Sequence, residues 1–277
     1  MNILMDDLHS QISESPFALF GVDLSDRTYS LYCTAIDQNA NIFYALKKEE
    51  KTYYICLYAV KKDGKLLPHV PKKHLSTQIC ISAALNDYAA MCWIPEFIMT
   101  YEFCLQIASK FGKAIRFVPD QHRTYEFCLQ IVSNFGKAIR FVPIQHRTFE
   151  MCLKAVKNNG FALKYIPEYH INDDLIRIAL DYSPFTIAYV PTRMGNPHLY
   201  ENAVLSNGCA LKYIHPQNRT YILCIVAVHQ NGEALKYVPK SQKTVDICVT
   251  ALKRAPYMIH HVPKELRTEC LRKTTKI

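Results

Sequence analysis

Seven cysteines, Cys56, Cys80, Cys104, Cys128, Cys152, Cys224 and Cys248, stand in one register with a period of 24 residues. Such a row could hold zinc or pair as disulfides. Both chemistries need short distances: about 4.4–6.8 Å between Cα atoms for a disulfide, and about 2.3 Å from each thiolate to zinc. Equivalent helices of stacked units lie about 8–10 Å apart. The row therefore reads as small core residues. Cys33, Cys92, Cys209 and Cys270 lie off the register, and no CxxC pair occurs. A second row, His74, His122, His146 and His170, faces the same distance limit and reads as turn or capping residues. Asp173 and Asp174 resemble an acid pair, but Asn172 precedes them, and carboxylates are expected in a helix's first turn. No nucleophile elbow, P-loop, dinucleotide glycine fingerprint or HExxH motif is present. The residues give no reason to expect a catalytic group, a metal or a cofactor, although a groove near residues 172–200 could still shelter an enzymatic site.

What positions these rows is a repeat. Residues 100–123 read TYEFCLQIASKFGKAIRFVPDQHR and residues 124–147 read TYEFCLQIVSNFGKAIRFVPIQHR. The pattern returns from Thr148 and from Thr220. Steps of 24 from Thr100 land on Thr28, Thr52, Ser76, Thr124, Thr148, Asn172, Asn196, Thr220, Thr244 and Thr268, all of them helix N-capping types. The expected organisation is an N-terminal cap segment over 1–26, one array over 27–267, and a basic, frayed tail over 268–277.

Within one unit, Thr124 caps a helix, and Glu126 sits where the helix dipole favours an anion. Glu126, Gln130, Ser133 and Lys137 make a solvent stripe, while Phe127, Cys128, Ile131, Val132 and Phe135 fill more than one side with apolar atoms. Leu129 is expected in the core as well. Gly136 matches the left-handed residue that ends a helix. A second short helix carries Ala138, Ile139, Phe141 and Val142 before Pro143. Neither helix can bury its own apolar face, so the units must stack. The expected fold is all-α, an α-solenoid of 24-residue helix-turn-helix repeats. The alternative is an α/β solenoid with a short strand at AIRFVP.

The phrases CLKAVKNNGFALKYIP and CIVAVHQNGEALKYVP resemble a family of short helical repeats known only as a domain of unknown function. The resemblance implies a binding scaffold. It also implies kinship with effectors that intracellular bacteria secrete into host cells, which would move the chain from bacterial cytoplasm to host cytoplasm or a host membrane surface. The units at 28–51, 76–99 and 172–218 depart from the pattern, with Ala40, Tyr88 and Pro184 in the glycine position, and altered register or packing is expected there.

Charge points to the partner. The net charge is +9, which favours acidic surfaces. One basic row is Arg116, Arg140, Lys164, Lys212 and Lys236; another, beside the capping residues, includes Arg123, Arg147, Arg219 and Lys243. The first row is expected to be the freer, because an arginine beside the cap can instead pair with helix carbonyls or a neighbouring glutamate. Both rows are interrupted around Ile171, Ala188 and Gly195. A protein partner ranks first and anionic lipid headgroups second. Nucleic acid ranks below both, because Phe117, Phe141 and Tyr165 fall in core register. No apolar run is long enough to span a bilayer, and residues 1–20 lack the pattern of a secretory signal peptide.

Overall fold

The computed structural model describes residues 2–274. The chain forms two compact units, Met1–Ile131 and Val132–Ile277. Each is built from 24-residue helical repeats, and no strand occurs among the described residues. One repeat comprises an α-helix of ten residues, a 3-10 helix of six and a 3-10 helix of three, as in Phe149–Asn158, Gly160–Tyr165 and Glu168–His170. The α-helices and the six-residue 3-10 helices each pack on their own kind in the next repeat, giving an α layer and a 3-10 layer within each unit.

The capping residues behave as their types dictate. Thr28, Thr52, Ser76, Thr100, Thr124, Thr148, Asn172, Asn196, Thr220 and Thr244 each accept the amide of the residue three positions on, at 2.9–3.4 Å. Along Tyr125–Asn134, Phe127, Cys128, Ile131 and Val132 are buried while Glu126, Gln130 and Ser133 are exposed. The helix therefore buries one face rather than several sides; Leu129 and Phe135 are only half-buried.

The segment expected as a second short helix, or alternatively as a strand, is a helix of the 3-10 type. It is confined between the end of the first helix and a proline that fixes φ near −55° as it opens the next short turn. Bonds from residue i+3 to residue i close it, such as Ala162 N–H to Asn159 O at 2.8 Å. The three-residue period lines up Gly136, Ile139 and Val142, all buried.

The glycine that opens this segment is required for a different reason than helix termination. No glycine among the described residues has positive φ. A Cβ on Gly136 would lie under 3.0 Å from the carbonyl oxygen of Ala155 in the next repeat, and Gly64 and Gly208 meet Ala83 and Ala227 in the same way. The close approach lets the Gly136 amide donate to Asn158 Oδ1 at 2.7 Å, and Asn158 Nδ2 donates back to the carbonyls of Ser133 and Asn134 at 3.2 Å. Asn86 and Gln230 form the same clasp. These bonds satisfy carbonyls that the end of an α-helix leaves open.

The irregular repeats answer unequally. Tyr88–Trp93 and Pro184–Tyr189 are 3-10 helices in unchanged register. Only the repeat with Ala40 is rebuilt, as a short α-helix over Ile42–Ala45 followed by a turn at 48–50. Both ends are helical, the expected tail included through residue 274. Residues 2–26 repeat the helix pattern of the array, with Ile12 and Leu19 fully buried. At the other end Arg267–Thr274 is an α-helix that packs on Val245–Arg254 and buries Cys270. Thr268 lies inside that helix, because Arg267 already has helical φ and ψ, so it is not a cap. Residues 275–277 of the expected tail lie outside the described residues.

Candidate binding surface

The two basic rows have different fates. Arg116 in the first unit, and Arg140, Lys164, Lys212 and Lys236 in the second, are exposed at the ends of their six-residue 3-10 helices. Each cation lies over the ring of the next residue: Arg116 over Phe117 at 4.9 Å, Arg140 over Phe141 at 4.7 Å, Lys164 over Tyr165 at 5.8 Å, Lys212 over Tyr213 at 5.3 Å and Lys236 over Tyr237 at 5.2 Å. Arg140 also reaches Tyr165 at 5.4 Å and Lys164 reaches Tyr189 at 5.8 Å, which joins consecutive repeats. Phe117, Phe141 and Tyr165 are half-buried rather than core, because a three-residue period turns them away from Ile139 and its equivalents. Stacking of this kind restrains long basic side chains. Glu233 partly neutralises Lys236 at 3.1 Å.

The row beside the caps is consumed internally. Arg147 donates to the carbonyls of Val142 at 3.0 Å, Tyr165 at 2.8 Å and Arg140 at 3.3 Å. Arg219 does the same with Ile214, Tyr237 and Lys212, at 2.7, 2.7 and 3.0 Å. Lys243, with one nitrogen, reaches His261 O at 2.8 Å. In the first unit Arg123 pairs with Asp120. Arg147, Arg219 and Lys243 bind consecutive repeats together, so the candidate surface is the first row alone.

The cysteine row lies in the core: Cys56, Cys80, Cys104, Cys128, Cys152, Cys224 and Cys248 are buried. Several thiols point at the carbonyl five residues back, as Cys152 does at Arg147 O, 3.8 Å away. Burial pushes the Cys152 and Cys224 thiols up to about 11 and Cys248 to about 12. His122 and His170 pack against Tyr101 and Phe149, the residues that follow the caps of their own repeats. Asp173 and Asp174 occupy the first turn of Asp173–Tyr182, and both are exposed.

Two cavities were not visible as patterns. In the second unit, a recess of about 300 Å³ is lined by Gly195, Tyr200, Glu201, Asn218, Ile222 and Val226. Gly195 admits the Tyr200 hydroxyl, which accepts from Asn218 Nδ2 at 3.0 Å. The larger cavity, about 670 Å³, belongs to the rebuilt repeat of the first unit and is lined by Leu24, Arg27, Tyr29, Tyr32, Glu49, Glu50, Thr52, Tyr54 and Ile55. Glu50 is buried there; its Oε1 accepts from Arg27 Nη1 at 2.6 Å and from the Tyr32 hydroxyl at 2.8 Å, and its Oε2 accepts from the Lys47 amide at 2.9 Å. Burial pushes this carboxyl upward, but the Lys47 amide, Tyr32 and Arg27 outweigh it and hold it below the ordinary range. Burial and the bond to Glu50 push Tyr32 up to about 12. One sequence signal existed: Glu50 stands two residues before a cap, where His74, His122, His146 and His170 stand in other repeats.

No helix among the described residues is long and apolar enough to cross a membrane. Comparisons with curated proteins and with solved structures gave no match. In three overlapping windows, 100–147, 124–171 and 148–195, the chain is similar to a family described as Domain of unknown function (DUF4116).

Proposed function

We propose that this chain is a helical-repeat binding scaffold whose second unit engages an acidic surface of a protein partner through Arg140, Lys164, Lys212 and Lys236. The observation that carries this reading is the pairing of each exposed cation with a ring beneath it. A cation already held in place loses less freedom on binding than a free lysine does. Ala188 leaves a gap in the row, so the complementary surface carries two acidic patches rather than a continuous run. A protein surface can supply that spacing; a fluid lipid headgroup layer imposes none. The further reading, an effector delivered by bacteria into host cytoplasm, rests on the family resemblance of the repeat phrases.

The test is affinity capture from host lysate with the full chain as bait, against a variant with all four residues changed to Glu. Partners held by this surface are retained by wild type at low salt, released as salt rises, and missing from the variant. Partners retained equally by both baits would refute the surface. Capture of anionic liposomes in place of any protein would transfer the row to a membrane role.

A further inference from the structure

We infer that the cavity of the first unit is a receptor for an alkylammonium group, such as the methylated or unmodified side-chain head of a lysine. This site is independent of the basic row and lies where the repeat pattern is broken. Its walls are aromatic, with Tyr29, Tyr32 and Tyr54 among the lining residues. Tyr32 is tied to Glu50, whereas Tyr29 and Tyr54 are 50% and 68% exposed, so their rings remain accessible to a ligand. Tyr54 is further set by an edge contact with Tyr53 at 5.4 Å.

Charge selects the ligand. The lining holds one cation, Arg27, against two carboxylates, Glu49 and Glu50, in a chain whose net charge is +9. Arg27 is already committed: it donates to the carbonyls of Val22 and Phe20 as well as to Glu50, and it lies over the Phe20 ring at 5.6 Å. Glu49 is exposed and has no ion pair among the described residues. An incoming anion would meet two carboxylates. A neutral apolar group would gain contact area only. An ammonium gains the negative faces of the rings together with the surplus carboxylate, which is how aromatic cages hold quaternary ammonium and methyl-lysine groups. A volume of about 670 Å³ exceeds one ammonium head, so the site also admits the chain that carries it.

The experiment is isothermal titration of the full chain with tetramethylammonium, choline, a trimethyl-lysine peptide and a lysine peptide. The neutral control is 3,3-dimethylbutan-1-ol, the carbon isostere of choline. Saturable binding of at least one cation is expected, with the isostere weaker by about tenfold or more. Tyr54→Ala should weaken binding about tenfold, Tyr54→Phe should keep it within about twofold, and Glu49→Gln should weaken it severalfold. Tyr54 and Glu49 are exposed, so these variants should melt as wild type does. Binding of the peptides alone would assign the source to protein lysines; binding of choline as well would admit free ammonium compounds. No saturation by any cation up to about 50 mM, equal affinity for the isostere, or indifference to Tyr54→Ala would overturn the inference.

Discussion

At Gly136 the approach of the next repeat depends on the missing side chain, so Gly136→Ala tests that contact directly. The added Cβ would lie within 3.0 Å of the Ala155 carbonyl oxygen and at 3.1 Å from the Ala155 carbonyl carbon and from Asn159 N. Ordinary contact begins near 3.4 Å, so the 3-10 helix must retreat from the next α-helix by up to about 1 Å. Overpacking of this kind costs about 1–3 kcal/mol. The retreat also stretches the 2.7 Å bond from the Gly136 amide to Asn158, worth about 0.5–1.5 kcal/mol. Reduced freedom of the unfolded chain returns about 0.4–1 kcal/mol. The net loss is about 2 kcal/mol, within a span of about 0.5–4 kcal/mol, readable as a lower urea midpoint by circular dichroism. Gly21, with nothing within 4 Å of its added Cβ, is the control; Gly21→Ala should be neutral or slightly stabilising. Gly136→Asn separates the two explanations for the glycine. A left-handed residue tolerates Asn, whereas close approach makes Asn worse than Ala. A Gly136→Ala loss below about 0.5 kcal/mol, or an Asn variant more stable than the Ala variant, would refute the reasoning.

Arg147→Ala removes three bonds to carbonyls, one of them in the next repeat, and should cost about 2 kcal/mol; Arg147→Lys should recover part of it, as Lys243 makes one such bond, and equal stability of all three proteins would contradict this. Native thiol titration at mildly alkaline pH should label exposed Cys92 first, while Cys56, Cys80, Cys104, Cys128, Cys152 and Cys224, raised to about 11 by burial, react only on unfolding; fast labelling of the row would show that it is not core. Glu50 has a lowered folded pKa, so its contribution is present above the ordinary value of 4.5 and is lost as pH falls through the folded value. Denaturation midpoints should therefore fall more steeply with acid in wild type than in Glu50→Gln. The variant should be weaker by about 3 kcal/mol at neutral pH, because Arg27 loses its buried partner.

Much of the array was legible because its signals are local. Capping side chains need only the amide three residues on, and the period located ten of them. The solvent stripe of Glu126, Gln130 and Ser133 followed from helical spacing. The second segment was legible as a helix but not as a 3-10 helix, because paired apolar neighbours fit a 3-10 helix as well as an α-helix, and only the confinement before Pro143 distinguishes them. Gly136 was misread because its constraint comes from Ala155 in the next repeat. The clasp by Asn158 is hidden for the same reason: no local pattern pairs an amide with a side chain 22 residues away. The first basic row was legible as a row. Its aromatic underlay was not, since Phe141 and Tyr165 shift from core to half-buried once the period becomes three. The cavity at Glu50 depends on the one repeat that abandons the pattern.

The proposed function turns on whether the exposed row, rather than net charge, does the binding. Fluorescence anisotropy with labelled poly-L-glutamate of fixed length tests this directly, comparing wild type with two variants of equal charge. One carries Glu at Arg140, Lys164, Lys212 and Lys236; the other carries Glu at Lys72, Lys73, Lys240 and Lys264, which are exposed and lie off the row. The account predicts salt-sensitive binding by wild type, binding within about threefold of it by the second variant, and loss of about tenfold or more by the first. Equal losses in the two variants, or none in the first, would contradict it.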